Sequence, residues 1–308
     1  MIKLSTGETL GSYRVRSFLG RGAFAHIYLA TDTKNELVAL KVGDIAGGGS
    51  YMKRFLDVTN DHRPDGISPD ETPAEAIRFE KDGAHITFLD ASEINSMIRG
   101  ECELLRHIHH WNIVGVRGMF LHEGRNVLVM DYVRGKTLRE KFRALEGVRL
   151  NWFLTIVRAL QSLNASGDLP YHGDLKPENV LIKPSGGVVV IDPAMRENEQ
   201  NVITTTPHYN PLLLRNSKAD VMGIGVMLYE ILTGVLPFDE VPWQYAGREQ
   251  GGEVQQLSLS YFLSYPPPSD LNPNTPESLE TIIYRCLTVM DYGLAALEMD
   301  LVEYLRMD

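Results

Sequence analysis

The hydrophobic period changes once along this chain, and that change limits what the chain can fold into. Tyr13 to Gly20, His26 to Thr31 and Leu37 to Val42 are short runs rich in β-branched and aromatic residues. Glycines and the stretch Asp32-Thr33-Lys34-Asn35 separate them. Runs of this kind between turn residues predict a three-strand meander. Residues 92–109 then place Ile94, Met97, Ile98, Leu104, Leu105 and Ile108 at helical spacings. Ser92, followed by Glu93, is the expected cap. Two more strands are expected near Ile113 to Leu121 and Asn126 to Tyr132. Beyond Gly135 the pattern is helical, over Thr137 to Leu145, Leu150 to Ala165, Lys218 to Leu232, Pro276 to Leu287 and Leu294 to Met307. The longest apolar stretch, Val221 to Tyr229, is too short to span a bilayer and is followed by Glu230, so it predicts a buried helix. An α+β chain follows, with a small β-rich lobe ahead of a larger helical one.

Composition narrows the functional classes. A length of 308 residues suits two units or one domain with two lobes. With 44% apolar and 23% charged residues, the chain is neither disordered nor collagen-like. The net charge of −10 argues against a dedicated nucleic-acid binder, yet it leaves room for a phosphate-bearing ligand held by a local pocket of donors. Cys102 and Cys286 cannot build a disulfide framework or a CxxC metal site, which fits a reducing cytoplasmic setting. Met1 to Tyr13 lacks a signal-peptide apolar core, and neither a membrane anchor nor a lipidation motif is seen.

Residues 44–90 are an insert in this scheme. Residues 44–74 contain Gly47-Gly48-Gly49-Ser50, Pro64, Gly66, Pro69 and Pro73 and read as a loop. After them Ile77 and Phe79 alternate with charged residues, Asp82-Gly83 makes a turn, and Ile86 and Phe88 alternate again, which predicts a β-hairpin. The insert is open to two readings. It is a tolerated surface elaboration, or it is the place where a regulatory partner acts on helix 92–109.

Three stretches carry chemistry. Gly20-Arg21-Gly22-Ala23-Phe24-Ala25-His26-Ile27 lies between the first two strands. Glycines there let backbone N–H groups approach phosphate oxygens, although a plain hairpin turn has the same composition. Lys41 closes Val38-Ala39-Leu40-Lys41 on the third strand. A lysine among apolar neighbours needs an anionic partner, and Glu101 is the candidate. The alternative is a surface lysine whose stem covers the sheet. The most specific stretch is His172-Gly173-Asp174-Leu175-Lys176-Pro177-Glu178-Asn179, followed by two short strands, Val180 to Ile182 and Val188 to Ile191, and then Asp192. Asp174 can accept a proton from an attacking hydroxyl, and Lys176 can neutralise a transferring phosphoryl group. Asn179 and Asp192 offer hard oxygens suited to Mg²⁺.

Taken in order, these stretches resemble the eukaryotic-type protein kinases, most closely the serine/threonine branch. Residues 20–27 resemble that family's glycine-rich loop and 38–41 its VAIK motif. His110-Trp111-Asn112-Ile113-Val114 resembles HPNIV, and counting back from it selects Glu101. Residues 172–179 resemble HRDLKPEN, Asp192-Pro193-Ala194 resembles DFG, and Thr206-Pro207-His208-Tyr209 resembles GTPxY. Asp220 to Val226 resembles DVWSLGV, continued by Glu230 to Gly234 and Pro237-Phe238. The resemblance implies a bilobal protein-kinase-like fold, with an N-lobe over 1–131 and a C-lobe over 132–308. It implies ATP and Mg²⁺ as ligands and a Ser/Thr hydroxyl of a protein as acceptor, with no nucleic-acid or membrane partner. It assigns catalytic roles to Asp174, Lys176, Lys41 and Glu101, and metal binding to Asn179 and Asp192. Nucleotide contacts fall to Gly20, Gly22, Ala25, Ile27, Ala39, Lys41, Met130, Asp131 and Val133.

The departures have consequences of their own. Gly173 replaces the arginine that clamps a phosphorylated activation loop, so activity independent of phosphorylation at Thr204 or Thr205 is expected. Pro193 and Ala194 replace phenylalanine and glycine, so a stiff metal loop with Asp192 in extended backbone is expected. Leu212 and the stretch Asp291 to Ala295 show neither the glutamate nor the arginine of the family's APE ion pair, a joint loss that strands no lone charge. Two other functions stay open at this point. One is a pseudokinase acting as a binding or scaffold module. The other is a small-molecule kinase, since His172-Gly173-Asp174 also resembles the HGD of aminoglycoside and choline kinases.

Overall fold

The computed structural model describes residues 4–22, 24–43, 50–54, 79–81, 84–89, 91–144, 147–166, 171–193, 206, 208–212, 214–238 and 265–307. These residues form two compact units. The first runs to residue 133 without 110–114, and the second takes 110–114 and everything from 134 onward.

The first unit is built on a six-stranded antiparallel sheet of β1 (Thr9–Leu10), β2 (Tyr13–Arg21), β3 (Ala25–Thr31), β4 (Leu37–Gly43), β8 (Val116–His122) and β9 (Arg125–Asp131). Their order is β1-β2-β3-β4-β9-β8. Successive side chains of a strand point to opposite faces, so one face of the sheet is apolar. Val15, Tyr28, Ala30, Val38, Leu40, Val42, Val127 and Val129 pack there with Leu10 into a core cluster. The expected meander is β2-β3-β4. The insert contributes β5 (Ser50–Arg54), β6 (Phe79–Lys81) and β7 (Ala84–Leu89), ordered β5-β7-β6. The hairpin expected near 77–88 corresponds to β6-β7, and Ile77 lies outside the described residues. The expectation of a loop over 44–74 needs correcting at Ser50–Arg54, which pairs antiparallel with β7 from Ser50↔Leu89 to Arg54↔His85. The glycine and proline cluster around it hides the strand in the sequence. Gly47 to Gly49, Pro64 to Pro73 and Asp82-Gly83 lie outside the described residues.

Helix α1 (Ala91–Leu105) follows β7. It buries Ile94, Met97, Ile98, Glu101 and Leu105, the helical stripe read from the sequence. It starts before Ser92, which therefore lies inside the first turn and is not the cap. It also stops short of 109, where His110 and Asn112 form a turn through the Asn112 N–H and His110 Nδ1.

The second unit contains β10 (Lys136–Thr137), α2 (Leu138–Arg143), α3 (Leu150–Ser166), β11 (Val180–Ile182), β12 (Val188–Val190), α4 (Ser217–Thr233), α5 (Pro268–Leu271), α6 (Glu277–Thr288) and α7 (Leu294–Met307). Thr137 and Glu140 close α2 with a reciprocal capping box. Helix α4 is apolar on every side and must be covered on every side. Its residues Lys218 to Tyr229 are all buried, as Val221 to Tyr229 predicts. It starts on the Asn216 side chain, which accepts the Lys218 N–H, and ends at Gly234 with φ +77°. Residues 172–193, including β11 and β12, carry the loop on which the chemistry rests.

Candidate active site

In the first unit the strand register brings the sequence candidates together. Gly20 pairs with Ile27, Ile27 with Lys41, and Ala39 with Met130. Directly paired residues share a face, and so do alternate residues of one strand. Gly20, Ala25, Ile27, Ala39, Lys41 and Met130 therefore share the face opposite the core cluster. Asp131 closes β9 and Val133 follows it. The turn between β2 and β3 is closed by the Gly22 N–H on the Ala25 carbonyl at 2.8 Å. A side chain at Gly20 would meet nothing within 4 Å, so this stretch of backbone is open to a ligand.

Lys41 is 3% exposed and Glu101 2%, which excludes a surface lysine lying over the sheet. The Lys41 ammonium donates to Glu101 Oε2 at 2.7 Å and stands 5.0 Å from the Phe24 ring centroid. Two charges removed from water need this proximity, because either alone would carry the full desolvation cost.

In the second unit the loop 172–179 is fixed from below by α4. Asp220, fully buried, accepts the backbone N–H groups of His172 and Gly173, both at 2.8 Å. Burial pushes its carboxyl up, while His172 and the two N–H donors pull it back. The approach is so close that a Cβ at Gly223 would come within 2.8 Å of the Leu175 carbonyl oxygen. With the backbone held, the Asp174 carboxylate is oriented through both oxygens. Oδ1 accepts the Thr206 N–H at 2.7 Å, and Oδ2 accepts from Lys176 Nζ at 2.7 Å and from Asn179 Nδ2 at 3.3 Å. Lys176 also donates to Thr206 Oγ1 at 2.7 Å. Thr206 thus binds within this site through both its backbone N–H and its hydroxyl. Thr204, Thr205, Pro207 and Ala194 lie outside the described residues.

Asn179 turns its amide nitrogen to the Asp174 carbonyl at 2.9 Å, which leaves its oxygen for a ligand, and approaches the Asp192 carbonyl at 3.5 Å. One carboxylate and one amide oxygen are a donor set that fits a hard divalent cation sharing phosphate and water oxygens. The backbone at Asp192 corrects an expectation. Its φ is +57°, in the left-handed region, and not the extended conformation anticipated from Pro193. A residue before proline is steered by local sterics only where nothing else overrides them. Here the backbone is tied to the loop: the Ile191 N–H donates to the Asn179 carbonyl at 2.9 Å, the Ile191 carbonyl lies 3.0 Å from His172 Nε2, and the Asp192 carbonyl lies 3.5 Å from Asn179 Nδ2.

One cluster escaped the sequence reading. Arg139 on α2 donates to Glu178 Oε1 at 2.7 Å, to Glu230 Oε1 on α4, and to the Tyr209 hydroxyl, which in turn donates to Glu230 Oε2 at 2.7 Å. Burial alone would lower the Arg139 guanidinium, but the hydrogen bonds to Glu230 and Glu178 outweigh it. Burial and Glu230 together push the Tyr209 phenol up. The four residues are spread over 91 positions, and although Glu178, Tyr209 and Glu230 each lie in a motif, no local pattern says that they meet or that Arg139 joins them.

Comparison with known proteins places the chain in a family. The protein kinase domain model matches residues 86–292, two thirds of the chain. The chain belongs to the protein kinase domain family. That family works with ATP and a divalent metal. The probable serine/threonine-protein kinase PknB of Lactococcus lactis is 27% identical over 292 residues, 89% of this chain and 38% of that protein. The serine/threonine-protein kinase PrkC of Bacillus subtilis is 24% identical over 295 residues, 89% of this chain and 37% of the relative. This chain thus spans less than two fifths of either relative. Among solved structures, the PknI kinase domain of Mycobacterium tuberculosis superposes with a TM-score of 0.59 at 18% identity, over 98% of this chain and 99% of that one. The PpkA-294 apo form superposes with a TM-score of 0.65 at 16% identity, over 97% and 99%. Both likenesses concern the fold, a β-sheet N-lobe and a helical C-lobe. No described helix is long and apolar enough to cross a membrane.

Proposed function

We propose that this chain is a serine/threonine protein kinase that moves the γ-phosphoryl group of ATP to a hydroxyl of a protein substrate. The observation that carries the reading is the Asp174 carboxylate, held through both oxygens by Thr206, Lys176 and Asn179. A carboxylate so fixed, with a lysine beside it, suits proton acceptance next to a developing negative charge. The lobes are assigned as 1–131 and 132–308, and the cytoplasm is the expected compartment.

In this reading the face bearing Gly20, Gly22, Ala25, Ile27, Ala39 and Met130, with Asp131 and Val133, takes the nucleotide. Lys41 neutralises the α- and β-phosphates, and Glu101 keeps Lys41 in place. Asn179 and Asp192 hold Mg²⁺, which when bound supplies charge neutralisation to phosphate oxygens. The substrate hydroxyl oxygen forms a bond to the γ-phosphorus as the bond from that phosphorus to the β–γ bridging oxygen breaks, and ADP leaves. The hydroxyl proton passes to Asp174, and Lys176 offsets charge on the moving phosphoryl group. Catalysis is then positioning and electrostatics with no covalent enzyme intermediate. Because Gly173 offers no cationic clamp, activity does not depend on a phosphorylated loop. Retention of activity after phosphatase treatment is the expected result.

The test is phosphate transfer from Mg²⁺-ATP to a generic protein acceptor and to the chain itself, with mass spectrometry locating the product. Phosphoserine or phosphothreonine made by the native chain and lost in Asp174→Ala supports the reading. Nucleotide binding without transfer in a folded native chain refutes it and points to a pseudokinase.

A further inference from the structure

The Lys41–Glu101 pair joins α1 to the sheet, and the same helix makes a second polar contact with the sheet through Asn95. Asn95 stands early in α1, between β7 and Glu101 in the chain. Its side-chain Nδ2 donates to the Gly124 carbonyl at 2.8 Å, and its Oδ1 accepts the Asn126 N–H at 2.7 Å. In return Asn126 Nδ2 donates to the Asn95 backbone carbonyl at 2.8 Å. Asn126 is 4% exposed, so its amide needs these partners.

The hairpin side of the contact is rigid. Glu123 and Gly124 have φ +48° and +77° and join the paired residues His122 and Arg125, a two-residue turn with both central residues left-handed. The contact also sits where the ladder of β4 ends. β4 pairs with β9 as far as Val42↔Val127, and Asn126 is the next residue of β9. There the primary amide of Asn95 gives the strand one acceptor and one donor, as a neighbouring strand would.

Packing points the same way. A Cβ at Gly43 would lie 2.9 Å from Ile94 Cγ2, which real Cβ contacts essentially never show, and 3.1 Å from Ile98 Cδ1, which is tighter than most. Gly43 is two residues from Lys41 on the same face of β4. The helix thus lies close on the strand that carries the lysine, and a side chain at 43 would force Ile94 and Ile98 to shift.

We propose that Asn95 and Asn126 are positioning residues: they lock α1 in the register that presents Glu101 to Lys41, so the ion pair is assembled by the chain itself and needs no partner to bring it together. The proposal rests on the reading that this pair serves ATP. It also answers the question left by the insert. β7 ends at Leu89 and α1 begins at Ala91, so any displacement of the β5-β7-β6 sheet reaches Asn95 before it reaches Glu101. The lock shields the pair from it.

The test uses the full chain, with ATP varied in steady-state transfer assays and amide exchange of α1 followed by mass spectrometry. Asn95→Ala should raise KM for ATP about fivefold with a smaller fall in kcat, and should speed exchange in α1 but not in the second unit. Asn126→Ala should do the same, and the double variant should add little to the stronger single, because both remove one shared contact. Gly43→Ala should move both readouts in the same direction by a steric route. Unchanged KM and unchanged α1 exchange in Asn95→Ala would overturn the lock, as would faster exchange spread evenly over both units. Lys41→Met separates this outcome from failure of the functional reading. If Lys41→Met leaves ATP use intact, the pair does not serve ATP, and α1 exchange in Asn95→Ala alone then decides whether the lock exists.

Discussion

Two lysine–carboxylate pairs of equal length lie in very different surroundings. Lys41–Glu101 and Lys176–Asp174 are both 2.7 Å apart. The first joins a strand to a helix across 60 residues, with side chains 4% and 2% exposed. The second joins two residues of one loop, with side chains 22% and 15% exposed. The contrast teaches what each pair is for. A dry pair with a long covalent loop between its members is a brace, since separating the partners strands a charge in a medium that cannot solvate it. A half-open pair whose carboxylate also accepts from Thr206 and Asn179 can exchange one donor for another at modest cost. That is what an incoming hydroxyl requires.

The largest expected effect falls on the open pair. Asp174→Ala should cut transfer about a thousandfold while leaving the melting temperature near native, since the loop backbone hangs on Asp220 and not on Asp174. Collapse of the fold in this variant would break the contrast. On stability the order reverses. Lys41→Met leaves Glu101 buried with its main charge partner gone and should cost about 3–5 kcal/mol in denaturant unfolding, against about 1 kcal/mol for Lys176→Met. Equal costs would mean that exposure does not separate the two pairs. Thr206→Val keeps the N–H on Asp174 but removes one of the two acceptors of Lys176. A fall in kcat of about tenfold with little change in KM for ATP is expected, and recovery in Thr206→Ser would assign it to the hydroxyl.

A third lysine sharpens the comparison with the smallest effect. Lys218 is 6% exposed and uses carbonyls in place of a carboxylate: Cys286 and Val289 at 2.8 and 2.7 Å, Arg285 and Tyr292 at 3.4 Å. Burial lowers its pKa to about 8, with Cys286 and Asp291 pulling the other way. Between pH 8 and the ordinary lysine range near 10.5 the unfolded chain holds a proton that the native chain has released. Stability from this group therefore rises with pH across that window. Native protein minus Lys218→Met should show a rise of roughly 2–4 °C in melting temperature between pH 8 and 10, and a flat difference would contradict it.

The same carbonyl-bound lysine shows where reading a sequence stops. The absence of the APE-type ion pair at Leu212 and Asp291 to Ala295 is visible in the residues. What holds the 285–292 stretch, namely Lys218 on four carbonyls with Arg285 and the Tyr292 hydroxyl on Asp300, is not. Backbone carbonyls carry no residue signature. Asn95, Asn126 and Arg139 were illegible for a related reason, because each acts through one contact distant in sequence. Glu101, by contrast, is legible from the sequence through the family resemblance, by counting back from His110 to Val114. Ser50–Arg54 was misread because a short strand among glycines has no period to display.

Local physics acts within a few residues, and the sequence alone determined whatever depends on that range. It determined the strand meander, the fully buried helix α4, the α1 stripe, and the order Asp174, Lys176, Asn179, Asp192 along one loop and its strands. Tertiary structure decided how those groups are used. It put Lys41 out of water against Glu101, hung the 172–173 backbone on Asp220, turned Asp192 to a positive φ despite the proline after it, and set Asn95 against Asn126. Each of these is a balance between desolvation and a partner brought from elsewhere in the chain, and no window of sequence contains both sides of it.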